Sequence, residues 1–448
     1  MPVELNRRAF LGAVAGPLLV SGACRSASET NTWNAGVATV DITPEGSLWM
    51  AGFAARTVPA QGVALPLHAK ALAFQAAGHP AAVLVTVDLL GLTARLTDRA
   101  AIAVKRRYGL SRADILFNAS HTHCGPVVDE QLSVAYDLSS EAWAAIRAYS
   151  ARLEEKLVTV VGDALARLAP ATLAYAQGQA GFGRNRRVRF TPEGPVSHEV
   201  PVLRVTGTDG ALLAIVFGYA CHNTTLQDKF VEYHGDYAGV AQAALEERHP
   251  GTAALFVAGC GADVNPHPRG TLELVQAHGT ALADAVDATQ PAGASVESAL
   301  HTAYATVDLP FVDDAARQRW KAGLDIDEKY LRRHAALMER TIARDGGLPP
   351  AQPAPVQVWR FGSTFTLIAL GGEVVVDYAH RLAREYPDRQ IWAAGYSNDV
   401  FGYVPSLRVL REGGYEGGDA MIYYGLPGPF TEGVEELLLT EVRRQMAV

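Results

Sequence analysis

An α/β fold, with a mixed β-sheet core flanked by helices in one large domain, is what the sequence predicts, on three observations. Short apolar runs of strand length alternate with longer amphipathic stretches from residue 34 to the end. No internal repeat and no low-complexity linker breaks that alternation after the first thirty residues, which argues for one integrated domain over 31–448. At 448 residues and 49% hydrophobic composition, the chain can bury a substantial core.

Taken in order, residues 34–43 alternate and read as a strand closed by Pro44. Residues 68–75 and 82–88 are apolar enough for two buried strands, and Asp88 ends the second, where it serves either a functional cleft or a turn. A helix over 96–108 leads to a strand over 114–118. Ser140 caps a long amphipathic helix reaching about residue 168. Strands at 172–176, 200–205 and 212–219 surround a cluster of Arg184, Arg186, Arg187 and Arg189. A helix over 237–247, a strand over 253–257, helices over 272–288 and 314–344, and a hairpin over 356–370 follow. Gly371-Gly372-Glu373 reads as the opening of another helix, and a last helix spans 432–445.

A formal net charge of −8 and a pI near 5.9 argue against a nucleic-acid binder, since no block of Lys and Arg supplies a phosphate-tracking surface. The expected partner is a small-molecule or lipid substrate. Residues 1–30 read as an export signal of twin-arginine type: Arg7-Arg8 precede an apolar run too short to span a bilayer and a Ser21-Gly22-Ala23-Cys24 sequence. The expected location is therefore periplasmic, or membrane-anchored as a lipoprotein, with attachment only through a lipidated Cys24. Three further cysteines, Cys124, Cys221 and Cys260, include no Cys-x-x-Cys pair, so a four-cysteine structural zinc site is excluded.

Chemistry concentrates at strand ends. Phe117 to Pro126 carries His121 and His123, whose side chains share a side if the backbone stays extended through Thr122. Neutral imidazoles are common zinc ligands, and a catalytic zinc keeps three protein groups and one open position. His222 follows the 212–219 strand, where it serves equally as a ligand or as a structural hydrogen-bonder. Glu373 supplies a carboxylate, favoured in ionised form if it opens a helix. Cys124 beside His123 offers an alternative nucleophile, which is disfavoured because neighbours in an extended segment point to opposite sides.

Five motifs carry a resemblance. Asp41-Ile42-Thr43-Pro44, Asn118-Ala119-Ser120-His121-Thr122-His123-Cys124-Gly125-Pro126, the Gly259 to Pro266 sequence Gly-Cys-Gly-Ala-Asp-Val-Asn-Pro, Gly372-Glu373 and Tyr415-Glu416-Gly417 resemble, in order and rough spacing, the catalytic domain of the neutral/alkaline non-lysosomal ceramidases. The resemblance implies a zinc-dependent amidohydrolase that cleaves an N-acyl bond, with zinc on His121, His222, Glu373 and Tyr415. It implies His123 in the active site beside the ligands and Arg186 as a substrate contact; for such a mechanism His123 suits a proton relay, and Asp236 and Asp263 are candidates either for orienting the imidazoles or for capping turns. Asn265 stands where the family's ceramidases usually carry an active-site serine. Those proteins also carry a further carboxy-terminal immunoglobulin-like domain, whereas this sequence stops after the helix at 432–445. The two departures leave open an ester or an anionic carbohydrate, cleaved by a hydrolase or lyase, as the substrate of the same zinc core.

Overall fold

The computed structural model describes residues 32–289, 293–313, 320–321, 324 and 328–447. The stretch expected to be an export signal, with Arg7, Arg8 and Cys24, lies outside them, as does most of the first half of the helix expected over 314–344. Among the described residues no helix is long and apolar enough to cross a membrane.

Two sheets form the centre. The larger runs in the order Ala253–Ala258, Leu212–Tyr219, Glu199–Gly207, Ala169–Gln179, Trp33–Asp41, His68–Ala76, Ala82–Val87 and Ile115–Ala119, with Ala294–Ser295 added against Ala169–Gln179. Its middle is antiparallel, and the outermost pair at each end is parallel. The smaller sheet orders Leu300–Pro310, Ala351–Phe361, Phe365–Leu370 and Gln390–Ala394. Leu72, Phe74, Leu203 and Val257 of the first meet Trp359, Phe361, Leu367 and Trp392 of the second in one apolar cluster, so the sheets pack face to face.

Helices cover the outer faces. Ala94–Tyr108 and Ser140–Ala166 bury Leu96, Val104, Leu153 and Val161 against Val83, Val85 and Phe117. Asp236–Arg248 and Leu272–Asp287 bury Leu245, Leu282 and Val286 against Ile215, Phe217 and Phe256. Asp377–Glu385 and Val434–Met446 close the smaller sheet through Tyr378, Leu382, Leu438 and Val442. The architecture is a four-layer α/β/β/α arrangement, the mixed sheet core between helices that the sequence implies.

Local differences have identifiable causes. The cap of the long helix is Ser139, whose side chain accepts from Ala142 N–H, and Ser140 is the first helical residue. Glu373 does not open a helix. It lies on a two-residue strand, Glu373–Val374, paired in parallel with Tyr403–Val404, and the helix starts later at Asp377. The two glycines before it serve the entry to that strand, with Gly372 at φ 82°. Asp88 is a turn residue, accepting from His68 N–H at 3.0 Å and from Gln242 Nε2 at 2.9 Å.

Asn118 ties the two edges of the large sheet together. Its Oδ1 accepts from Ala258 N–H at 2.9 Å, and its Nδ2 donates to Gly395 O at 2.8 Å and Ser397 Oγ at 3.1 Å. The Tyr396–Asn398 segment is hydrogen-bonded to the same edge strand, Asn398 N–H to Phe117 O at 2.8 Å and Ala119 N–H to Tyr396 O at 3.2 Å. The ends of strands far apart in sequence are thereby held at one place. Asn118→Ala leaves the buried Ala258 N–H without its acceptor, while Gly395 O keeps Ser397 Oγ, and should lower stability by about 1–3 kcal/mol in urea denaturation. A loss below about 0.5 kcal/mol, the range of ordinary surface changes, would refute the tie.

A candidate metal centre at the strand ends

Two loops and one short strand supply the site. His121 and His123 follow Ile115–Ala119, His222 follows Leu212–Tyr219, and Glu373 follows Phe365–Leu370. The extended path expected through Thr122 is not what brings the first two together. His121 adopts φ 62°, in the left-handed region, and the chain turns. That conformation costs a non-glycine residue about 1–2 kcal/mol, and His121 N–H donating to Leu89 O at 2.9 Å and Nδ1 donating to Leu90 O at 2.7 Å offset it.

Those hydrogen bonds decide the electrostatics. A carbonyl only accepts, so His121 Nδ1 at Leu90 O, and His222 Nδ1 at 3.3 Å from Gly261 O, each carry the proton. In the neutral tautomer this leaves each Nε2 with its lone pair, and the two face each other at 3.3 Å. Glu373 Oε2 sits 3.1 Å from one and 3.2 Å from the other, buried and without a hydrogen-bond donor. His123 Nε2 approaches His121 Nε2 at 3.2 Å, and the three imidazoles offer ligand atoms within 4.8 Å of one another. Converging lone pairs repel unless a cation lies among them. Ligands about 2.0–2.1 Å from a zinc ion stand about 3.3 Å apart at tetrahedral angles, so these separations fit such an ion.

The titration directions agree with that arrangement. Burial lowers His222, helped by the Arg186 charge, to about 4. Burial and then the neighbouring His121 and His222 hold His123 well below 6.5. Burial alone would raise Glu373, but the His121 and His222 imidazoles hold it well below the usual carboxylate range. His222 and His123 are thus neutral and Glu373 ionised, the forms a divalent metal binds.

The tyrosine that reaches the histidines is Tyr403. Its register partner across the short strand pair is Glu373, and its hydroxyl lies 3.3 Å from His222 Nε2. Tyr415, the tyrosine assigned from the resemblance, instead packs edge-on against Tyr403 at 5.3 Å and is 44% exposed. Tyr424 Oη donates to Glu373 Oε1 in a short hydrogen bond, leaving Oε2 for the imidazoles. Sequence reasoning missed Tyr403 and Tyr424 because nothing local marks them. The one available signal was the pairing of a short strand near Gly402 with Glu373.

Arg186 lies one hydroxyl away from the cluster. Its Nη2 donates to Tyr403 Oη at 2.9 Å, Nε to Glu416 at 2.6 Å and Nη1 to Asn265 Oδ1 at 3.3 Å. Asn265 therefore holds the arginine rather than facing the imidazoles directly. Arg187 pairs with Glu412 at 2.9 Å and with Glu416, so these two arginines are held by carboxylates of the chain itself. The expectation that Asp236 and Asp263 orient imidazoles is not met, because both carboxylates serve other groups. Asp236 accepts from Leu226 and Tyr237 N–H, and Asp263 from Val376 N–H and Asn185 Nδ2. Backbone carbonyls of Leu90 and Gly261 take the orienting role instead. Gly261 can do so because it packs on Ala220, where a Cβ would stand 2.3 Å from the main chain. Cys124 is fully buried and its thiol is pushed up to about 12, chiefly by burial, which removes it as a nucleophile.

A cavity of about 260 Å³ opens onto His123 and Glu373, walled by Phe53, Leu132, Tyr415 and Tyr423. A larger one of about 570 Å³, between Leu410, Met421 and Phe430, contains none of the clustered side chains.

Residues 33–271 match the family described as neutral/alkaline non-lysosomal ceramidase, N-terminal. No curated protein sequence matches. Among solved structures, the neutral ceramidase of Pseudomonas aeruginosa superposes with a TM-score of 0.74 at 18% identity, covering 93% of this chain and 74% of that one. A structure described as a ceramidase complexed with C2 gives 0.72 at 17% identity, covering 92% and 76%. The shared fold and the matched stretch, which holds His121, His123 and His222, agree with the site geometry: this chain belongs to the neutral/alkaline non-lysosomal ceramidase family of hydrolases.

Proposed function

We propose that the protein is an exported zinc-dependent hydrolase that cleaves an N-acyl amide bond, with metal held by His121 Nε2, His222 Nε2, Glu373 Oε2 and Tyr403 Oη. The observation that carries the reading is the set of acceptor atoms of His121, His222 and Glu373 facing one another at 3.1–3.3 Å with no donor among them. Zinc bound there would supply a Lewis acid and a water acidified toward neutral pH.

The chain's own groups do the rest. His123, neutral and beside the cluster, takes a proton at Nε2 from the attacking water and returns it to the leaving nitrogen. Arg186, donating to Tyr403 Oη, holds that oxygen toward the imidazoles, where it would complete the ligand set. Tyr424 keeps Glu373 from turning both oxygens inward. The aromatic wall of Phe53, Tyr415 and Tyr423 suits an acyl group and excludes water from it.

The same lining disfavours the anionic carbohydrate considered from the sequence, as do the ion pairs that occupy Arg186 and Arg187. Export remains part of the proposal on the strength of Arg7-Arg8 and Cys24, and mass spectrometry of the N-terminus of protein from the native cell would test it.

Three outcomes follow from this reading. Purified protein should release fatty acid from a short-chain N-acyl sphingosine, and Glu373→Gln should lower kcat/KM by at least about a hundredfold, or 2.7 kcal/mol. Hydrolysis of saccharides or simple esters alone would overturn the amide assignment. Tyr403→Phe should lower kcat more than about tenfold, while Tyr415→Phe should act mainly on KM; the reverse pattern would return the role to Tyr415. For chelator-treated protein, His222 and His123 stay neutral when folded, so the unfolded chain takes up protons first as pH falls below 6.5. Stability is then full above that pH and is lost on the way down to about 4, where His222 protonates. The urea midpoint should drop between about pH 7 and pH 5, and a flat midpoint would contradict the buried neutral imidazoles.

A further inference from the structure

His121 and His222 are each fixed by a hydrogen bond from Nδ1 to a carbonyl. His123 is not, for its Nδ1 is buried and has no partner. On that side the ring is placed by packing. Phe53 lies against one side at 4.7 Å between ring centroids. Gly52 approaches so closely that a Cβ there would stand 2.3 Å from His123 Nδ1, and its φ of 98° also favours glycine. The orientation of His123 therefore depends on where the loop of Ala51 to Arg56 is held.

Arg56 holds it. The residue is buried, 6% exposed, and among the described residues its guanidinium meets no carboxylate. Nη1 donates to Ala51 O at 2.8 Å and to His123 O at 2.6 Å, while Nη2 donates to Phe230 O at 3.2 Å and lies 3.8 Å from Cys124 Sγ. The cation also sits 5.0 Å from the Phe53 ring centroid. Three separate segments, the Ala51 loop, the His121–Cys124 loop and the Phe230 turn, thus converge on one side chain. Burying an unpaired charge costs free energy that a hydrophobic plug would avoid. A planar donor fork explains the choice, because an apolar side chain cannot bond several carbonyls at once.

We propose that Arg56 is the positioning residue for His123: it clamps the His123 carbonyl to the loop carrying Gly52 and Phe53 and so sets the direction of the imidazole. This rests on the reading of His123 as the proton carrier, and the experiment separates the two.

Arg56→Met, Arg56→Lys, His123→Ala and the Arg56→Met/His123→Ala double variant are compared in the full zinc-loaded chain on a short-chain N-acyl sphingosine. Arg56→Met should lower kcat about ten- to a hundredfold with little change in KM, at unchanged zinc content, and Arg56→Lys should fall between it and the parent. In the His123→Ala background the same change should cost less than about twofold, because the residue acts through an imidazole already gone. Losses that multiply in the double variant, or an unaltered kcat in Arg56→Met, overturn the proposal. If His123→Ala itself leaves kcat intact, the functional reading fails instead. A crystal structure of Arg56→Met, or of Arg56→Lys should the first not fold, then decides the positioning: His123 Nε2 still 3.2 Å from His121 Nε2 refutes it, and a turned ring sustains it.

Discussion

Two hydrogen bonds to main-chain carbonyls govern this protein. By taking the Nδ1 protons of His121 and His222, Leu90 O and Gly261 O turn both bare Nε2 atoms toward Glu373 Oε2. Three buried acceptors in mutual contact are unstable on their own. Their persistence requires either protons or a metal, and burial, which lowers His222 to about 4, disfavours a proton there. The fold is arranged to hold that unfavourable geometry rigidly.

It does so by joining strand ends. Asn118 links the two edges of the large sheet and the Gly395–Ser397 segment, which places the His121 loop beside the strands that lead to His222 and Glu373. Behind Tyr403 a polar network forms, in which Arg186 and Arg187 share Glu416 and are further held by Asn265 and Glu412. The Gly259 to Pro266 motif joins the two. Its Val264 and Asp263 carbonyls accept from His222 and Arg186 N–H, both at 2.8 Å, and Val264–Pro266 pairs with Gly183–Asn185. Much of what a motif comparison marks as catalytic is therefore scaffold that sets distances.

How much of this was legible in the sequence follows from range. The strands and helices were, because their hydrophobic periods are local: Leu212–Tyr219 was placed to the residue, and most others within two or three. His121, His222 and Glu373 were legible as candidates because each follows an apolar strand. The reasons given for them were partly wrong. His121 is left-handed rather than extended, and Glu373 belongs to a strand pair rather than a helix start. Tyr403 was invisible because its place depends on a two-residue parallel pairing with Glu373, thirty residues earlier, and Tyr415 drew attention through its motif instead. Arg56 was equally silent, since a single arginine in a loop gives no sign that it will be buried under three carbonyls.

X-ray absorption at the zinc edge on the purified full chain tests the metal centre most directly. One zinc per chain with only nitrogen and oxygen ligands at about 2.0–2.1 Å, reduced in coordination by Glu373→Gln, is the expected spectrum. A chain that binds no stoichiometric zinc, or binds it through sulfur at about 2.3 Å, would contradict it.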